Sequence, residues 1–245
     1  MKVSIITACF NSAETIQNTF DSIRNQTYNN IELIVIDGAS NDGTLDIIES
    51  NKDIISKMVS EPDQGLYDAM NKGINIANGD IVAILNSDDI FPSDDVIANV
   101  INKFQETNCD ILYGNINYKN KKGETVRIWD SSPYLKGSFV KGWHPPHPSL
   151  FVKKSVYDRC GLFDTDFKIA ADFEFMLRAF EKNDFKISYL NETFVSMLVG
   201  GRSNTLRGII SGQKEIKMAF KKNNINLPKL YFIRRYFIKL KEYLK

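Results

Sequence analysis

The residues best suited to chemistry are carboxylates at the ends of apolar runs. Asp37 follows the run at 31–36, while Asp88 and Asp89 follow the run at 80–85 through Asn86 and Ser87. Carboxylates gathered where a phosphate would otherwise be welcome imply a bridging divalent cation. Asp172 opens a helical stretch, where the helix dipole favours its ionised form. Each acid also has a structural use. Asp37 with Gly38, and Asp88 with Asp89 ahead of Pro92, suit turns, and Asp172 suits a helix cap. Asp37 and Asp88 on adjacent strands favour a site over two unrelated turns. His144 and His147, the only histidines, lie in a stretch with three prolines and no neighbouring acid, so loop-anchoring hydrogen bonds explain them more readily than a metal does.

The elements that must position these groups alternate. Residues 3–8 and 31–36 are short, nearly continuous β-branched runs, the pattern of strands covered on both faces. Asn11 and Ser12 are placed to cap a helix running to about residue 25, and Asn41-Asp42-Gly43 precedes a helix over 44–49. A weak strand at 57–60, a helix at 67–77 and a strand at 80–85 complete a series that folds as a parallel sheet with right-handed crossovers. Ligands bind at the carboxyl ends of such strands. Beyond residue 90 the pattern predicts a helix at 94–105 introduced by Pro92-Ser93, strands at 110–113 and 124–129 around a Lys-rich turn, a loop at 137–148, and a helix at 171–182. That last helix carries Phe173, Met176, Leu177 and Phe180 on one face.

Composition fits one α/β domain with a tail: 245 residues, 43% hydrophobic and 25% charged. Lys plus Arg number 31 against 30 Asp plus Glu, which argues against nucleic acid as a partner. The charge is uneven. Residues 227–245 hold six Lys or Arg and one Glu, a net +5 that leaves −4 for 1–226. In this tail Ile233, Tyr236, Phe237, Leu240, Tyr243 and Leu244 recur at helical spacing beside Arg234, Arg235, Lys239 and Lys241, as in a helix lying on an anionic membrane. The same stripe also suits packing on the domain or on the partner of a homodimer. Cys9, Cys109 and Cys160 are few, odd in number and widely spaced, which reads as free thiols in a reducing compartment. With no signal-peptide core and no run of membrane-spanning length, the expected location is cytoplasmic, with peripheral attachment to the inner face of the cytoplasmic membrane through the tail.

Three segments carry a family resemblance: Val3-Ser4-Ile5-Ile6-Thr7-Ala8-Cys9-Phe10-Asn11, Val35-Ile36-Asp37-Gly38-Ala39-Ser40-Asn41-Asp42-Gly43-Thr44, and Gly79-Asp80 through Leu85-Asn86-Ser87-Asp88-Asp89. They resemble the family 2 glycosyltransferases of the GT-A fold, in order over roughly residues 1–200. The segment Asp63-Gln64-Gly65-Leu66-Tyr67-Asp68-Ala69-Met70-Asn71-Lys72-Gly73 is similar to the branch that builds bacterial exopolysaccharide, capsule and O-antigen. The resemblance implies a Rossmann-like, mostly parallel sheet flanked by helices, divided into a nucleotide-sugar half (1–114), an acceptor half (115–226) and the basic helix at 227–245. It implies transfer from a UDP-linked sugar to a hydroxyl of a glycan or lipid-diphosphate-linked acceptor, with inversion.

Carried over residue by residue, the resemblance makes Asp37 the group that hydrogen-bonds the base, with Ala8, Phe10 and Asn11 at the strand end lining that pocket. Asp88 becomes the ligand of Mn²⁺ or Mg²⁺, and Asp172, in Ala170-Ala171-Asp172-Phe173-Glu174, the general base. Asp63, Gly65, Asp68 and Lys72 fall in a donor-side segment, where Lys72 either touches phosphate or is a solvated helix residue. His147 matches an active-site histidine, Trp143 is placed to stack on a sugar, and Gly201 lies in Gly200-Gly201-Arg202-Ser203, which resembles a loop closing near the acceptor or serves as a turn. Asn86 and Gly38 depart from the family pattern, each replacing an acid, so cation affinity is expected to be weaker. Two competing readings are a catalytically inactive nucleotide-sugar or carbohydrate-binding relative, favoured by Asn86, and another nucleotide-dependent α/β enzyme. The second lacks any Gly-x-Gly-x-x-Gly or Gly-x-x-x-x-Gly-Lys-Ser/Thr phosphate cradle.

Overall fold

Alternation along the first two apolar runs sets the core. In β1 (Val3–Cys9), Val3, Ile5 and Cys9 enter one hydrophobic core while Ile6 and Ala8 enter the other. β2 (Ile31–Asp37) divides Leu33 and Val35 from Ile34 and Ile36 in the same way. Successive side chains point to opposite faces, so an apolar run needs cover on both. Helices α1 (Ile16–Arg24), α2 (Thr44–Ser50) and α4 (Val96–Thr107) cover one face through Phe20, Ile48, Val100 and Phe104. Helix α3 (Leu66–Ile76) covers the other through Tyr67, Met70 and Ile74. It lies so close to β1 that a Cβ on Gly73 would stand 2.4 Å from Ile6 Cγ2. The structure, a computed structural model, describes residues 1–199 and 206–241.

β1 pairs in parallel with β2 and with β4 (Ile81–Ile84), and β2 with β3 (Ile55–Ser60), as expected for the first half. The second half extends the same sheet but mixes its directions. β8 (Phe151–Lys153) runs antiparallel between β4 and β6 (Ile111–Lys119). β9 (Ile187–Leu198) lies parallel to β6 and antiparallel to β5 (Asp89–Ile90), and β7 (Thr125–Trp129) forms a hairpin with β6. β5, β8 and β9 were absent from the sequence reading. Two of them span only two and three residues, and β9 has an exposed Asn191-Glu192 pair that interrupts its apolar pattern.

Helices α5 (Lys154–Cys160), α6 (Ala171–Lys182), α7 (Leu206–Lys222) and α8 (Tyr231–Lys241) complete the chain. α6 keeps its expected bounds, and Phe173, Met176, Leu177 and Phe180 are all buried. The stretch expected as a loop contains two 3₁₀ turns, Phe139–Lys141 and His147–Ser149. Three helix starts are corrected. α8 begins at Tyr231 rather than 227, after a turn in which the Pro228 carbonyl accepts Tyr231 N–H. α1 begins only at Ile16, because Asn11 takes φ +50° and Ser12 uses its carbonyl to accept the N–H groups of Thr15 and Ile16. α4 begins at Val96, after a turn in which Ser93 Oγ accepts Asp95 N–H at 3.3 Å. No helix among the described residues is long and apolar enough to cross a membrane.

Candidate active site

Because β1, β2 and β4 are parallel, their carboxyl ends and following turns share one edge of the sheet, and side chains tie those turns together. Asn11 N–H donates to Ser40 Oγ at 2.8 Å, and Asn11 Oδ1 accepts Asn41 N–H at 3.0 Å. Ser12 N–H donates to Thr44 Oγ1 at 2.8 Å, and its hydroxyl lies 2.8 Å from that of Ser87. The turn after β1 therefore bridges the turns after β2 and β4.

Asp37 is fully buried at the end of β2. Its oxygens accept the Ser60 hydroxyl at 2.6 Å, Ser40 N–H at 3.1 Å, the Ser40 hydroxyl and the Cys9 thiol at 3.7 Å. Burial, reinforced by the Asp37 charge, pushes the Cys9 thiol far up, so it remains a protonated donor. Ala8 is buried in the core one residue earlier, whereas the ring of Phe10 is 56% exposed. Gly38 makes room for another acid. A Cβ at that position would lie 2.5 Å from Asp63 Oδ2 and 3.4 Å from the Phe10 ring. The carboxylate from the β3–α3 turn thus occupies the space opened by the missing side chain.

At the end of β4, Asp88 is exposed and Asp89 fully buried. Asn86 Nδ2 donates to Asp89 Oδ2 at 3.1 Å, while Asn86 Oδ1 and Asp89 Oδ1 are buried without a hydrogen-bond partner. Burial, with the neighbouring Asp88 charge, pushes the Asp89 carboxyl well above the usual carboxylate range. Among the described residues no three His, Cys, Asp or Glu side chains form a ready-made metal cluster. The oxygens of Asp88 and Asn86 are nonetheless the hard donors that Mn²⁺ or Mg²⁺ takes, and such ions keep phosphate and water ligands when protein ligands are few.

The donor-side segment folds into a tight turn and the start of α3. Gly65, at φ +120°, donates its N–H to Asp63 Oδ1 at 2.8 Å. Asp68 Oδ2 accepts Gln64 N–H at 3.0 Å and lies 3.5 Å from Lys72 Nζ. Lys72 pairs more closely with Glu61, at 2.8 Å, and donates to the Pro62 carbonyl at 3.1 Å. Its ammonium thereby clasps the β3–α3 turn.

Asp172 lies in the first turn of α6, with Ala170 at the cap position. Asp172 Oδ1 accepts Phe173 N–H at 2.8 Å and the phenol of Tyr67 at 3.1 Å, a hydroxyl that also faces the Ile169 carbonyl at 2.8 Å. Burial and the Asp172 charge push the Tyr67 phenol well above its usual range, which keeps it a donor. Behind α6, the Glu215 carboxylate of α7 accepts the N–H groups of Lys168, Ile169 and Ala170 at 3.0, 2.9 and 2.8 Å. Asp172 is thus tied through Tyr67 to α3, whose preceding turn carries Asp63, while Asn11 and Ser12 tie the turn after β1 to Ser40 and Thr44 after β2 and to Ser87 after β4.

Other expected residues sort by burial. His147 stands edge-on to Phe163 at 5.4 Å; its burial lowers the imidazole pKa, which the nearby Asp172 partly restores. His144 is enclosed by Trp129, Phe139 and Phe173, and burial holds it well below the usual histidine range. Trp143 is packed against Tyr113, Tyr134 and Phe139, inside an aromatic cluster. Gly201 lies outside the described residues. Tyr67 and Glu215 were missed by the sequence reading. Tyr67 lies in a quoted motif, but nothing local announces a partner 105 positions away.

Comparisons with known proteins agree with one another. The model of the family described as "Glycosyl transferase family 2" matches residues 4–163. An uncharacterized glycosyltransferase of Mycobacterium tuberculosis is 36% identical over 193 residues, covering 72% of this chain and 68% of that protein. A glycosyltransferase of the same species named for PGL/p-HBAD biosynthesis is 28% identical over 208 residues, covering 83% of this chain and 79% of its own. Among solved structures, S. aureus TarS 1-349 in complex with UDP-GlcNAc superposes with a TM-score of 0.70 at 19% identity, covering 100% of this chain and 72% of that one. The mannosyltransferase PcManGT of Pyrobaculum calidifontis, in complex with GDP-Man and Mn²⁺, gives 0.70 at 20% identity, covering 98% and 70%. These two show the shared GT-A fold.

Proposed function

The chain belongs to glycosyl transferase family 2, and on that basis we propose that it moves a sugar from UDP to a hydroxyl of a glycan or lipid-linked acceptor, with inversion, in bacterial surface glycan synthesis. One observation carries the reading. Asp172 is held by Phe173 N–H and by the phenol of Tyr67, whose own helix begins in the donor-side turn. The candidate base and the candidate donor segment are therefore neighbours. TarS in complex with UDP-GlcNAc and PcManGT with GDP-Man and Mn²⁺ share the fold, which supports a nucleotide-sugar donor and a divalent cation.

In this reading Asp37, held by Ser40 and Ser60, hydrogen-bonds the base, and Ala8, Phe10, Asn11 and Asp63 border its slot. Asp88, with Asn86 Oδ1, would hold Mn²⁺ or Mg²⁺. Such an ion, when bound, neutralises charge growing on the diphosphate. Asp172 accepts the acceptor hydroxyl's proton as the new bond to the anomeric carbon forms and the bond to the β-phosphate breaks, releasing UDP. Tyr67 holds that carboxylate in place, and neutral His147 stands beside it.

The test is a pair of variants assayed with UDP-sugars and titrated with UDP, with and without Mn²⁺. Asp172→Asn is expected to lose about 10²- to 10⁴-fold in turnover, the range of a positioned base, at unchanged UDP affinity. Asp88→Ala is expected to weaken UDP binding only when Mn²⁺ is present. Retained turnover in Asp172→Asn removes that residue from the base role, and an unchanged Mn²⁺ effect in Asp88→Ala removes that one from the metal.

A further inference from the structure

Helix α8 is fixed to the domain by one side only. Tyr231 is fully buried against Phe220, with ring centres 5.1 Å apart, and the guanidinium of Arg235 lies 5.4 Å from the centre of the Phe173 ring, next to Asp172. Gly142, at φ +95°, lets the backbone of Arg235 approach so closely that a Cβ there would be 3.0 Å from its nitrogen. The opposite side carries Ile233, Tyr236, Phe237 and Leu240, spaced i, i+3, i+4 and i+7, and they are 56%, 64%, 58% and 41% exposed. A stripe that packed on the domain would be covered.

Among the described residues of α7 and α8 the exposed charged side chains are basic, Arg234 on α8 and Lys214, Lys217, Lys221 and Lys222 on α7. The one carboxylate of α7, Glu215, is turned inward to Lys168, Ile169 and Ala170. A second copy would bring like charge against like charge. An aqueous nucleic acid would satisfy the lysines but leave the apolar stripe in water. An anionic bilayer satisfies both, with phosphate headgroups for the basic rows and the acyl boundary for the aromatic and aliphatic side chains.

We propose that the outward face of α8, with the lysine row of α7, seats this protein on an anionic lipid surface. Because the inner side of the same helix rests on Phe173, next to Asp172, seating would hold the candidate site close to the lipid. Only that consequence, a lipid-borne acceptor, rests on the transfer reading; the binding itself does not.

Flotation with phosphatidylcholine vesicles containing about one-third phosphatidylglycerol, against pure phosphatidylcholine, tests it. The full chain is expected to float with the anionic vesicles and to be released by high salt. Ile233→Ser with Phe237→Ser is expected to lower partitioning at least about tenfold, from the apolar area no longer buried. Lys214→Glu with Lys217→Glu is expected to lower it by a similar factor. UDP affinity, unchanged in all of them, shows that the fold and the donor site are intact. Equal flotation of wild type and either variant overturns the proposal. So does a dimer in sedimentation velocity without lipid that Ile233→Ser with Phe237→Ser dissociates, since the face would then belong to a second copy; so too does RNA binding abolished by the lysine changes while flotation is unaffected.

Discussion

At the scale of single residues, the candidate base depends on donors it does not own. Asp172 shares a turn with Phe173, but its second hydrogen bond comes from Tyr67 on α3, 105 positions away in the chain. Tyr67→Phe keeps the ring contact with Phe163, 5.7 Å between centres, and removes only the hydroxyl. It is expected to lower kcat roughly tenfold, the cost of one hydrogen bond to a charged group, with the donor KM unchanged. A loss confined to KM would mean that the phenol serves the donor turn instead. The places of Asp37 and Asp88 near strand ends and of Asp172 in the first turn of a helix were legible because these are local patterns. The partners of these acids were not. The surroundings of Lys72 and Trp143, an ion-pair clasp and an aromatic cluster, were likewise not legible from their neighbours in sequence.

At the scale of elements, α3 connects the two halves. Its first turn reaches Asp172, Asn71 exchanges two hydrogen bonds with the backbone of Phe163 at 2.8 and 3.0 Å, and Gly73 lets the whole helix settle on β1. Gly73→Ala would press a methyl group into Ile6, which is fully buried. Better helix propensity offsets little of that. The variant is expected to lose about 1–3 kcal/mol, read as a fall of several degrees in Tm by circular dichroism. An unchanged Tm would mean that α3 shifts freely on the sheet. Several periodic helices were visible in sequence, with α6 found at its full length, whereas α7, the longest described helix, was not. Strands β5 and β8 were not, because two or three residues carry no period; their place in the sheet comes from the partner strands beside them.

At the scale of the whole molecule, the edge opposite the candidate site carries an electrostatic tie between strands. Glu32 is 2% exposed; burial alone would raise its carboxyl, but hydrogen bonds from the Ser4 hydroxyl, Asn78 N–H and Lys2 outweigh burial and lower it from 4.5 to about 2. A carboxyl depressed in the folded state stabilises above its unfolded value and loses that contribution as pH falls. Stability should therefore decline between pH 4.5 and about 2, by up to about 3 kcal/mol from this group. Urea unfolding across that window checks it, with Glu32→Gln expected to flatten this share of the acid dependence.

The sequence by itself determined the alternation of strands and helices in the first part of the chain, the edge where the turns after the parallel strands gather and the acids that stand there, because these follow from periodicity and from turn and cap chemistry within a few residues. Tertiary structure decided which side chains answer those acids and which side of α8 faces outward. A hydrogen bond from Tyr67 to Asp172, or the burial of one side of a helix, exists only once elements far apart in the chain are packed, and local pattern specifies an amphipathic face without specifying what covers it.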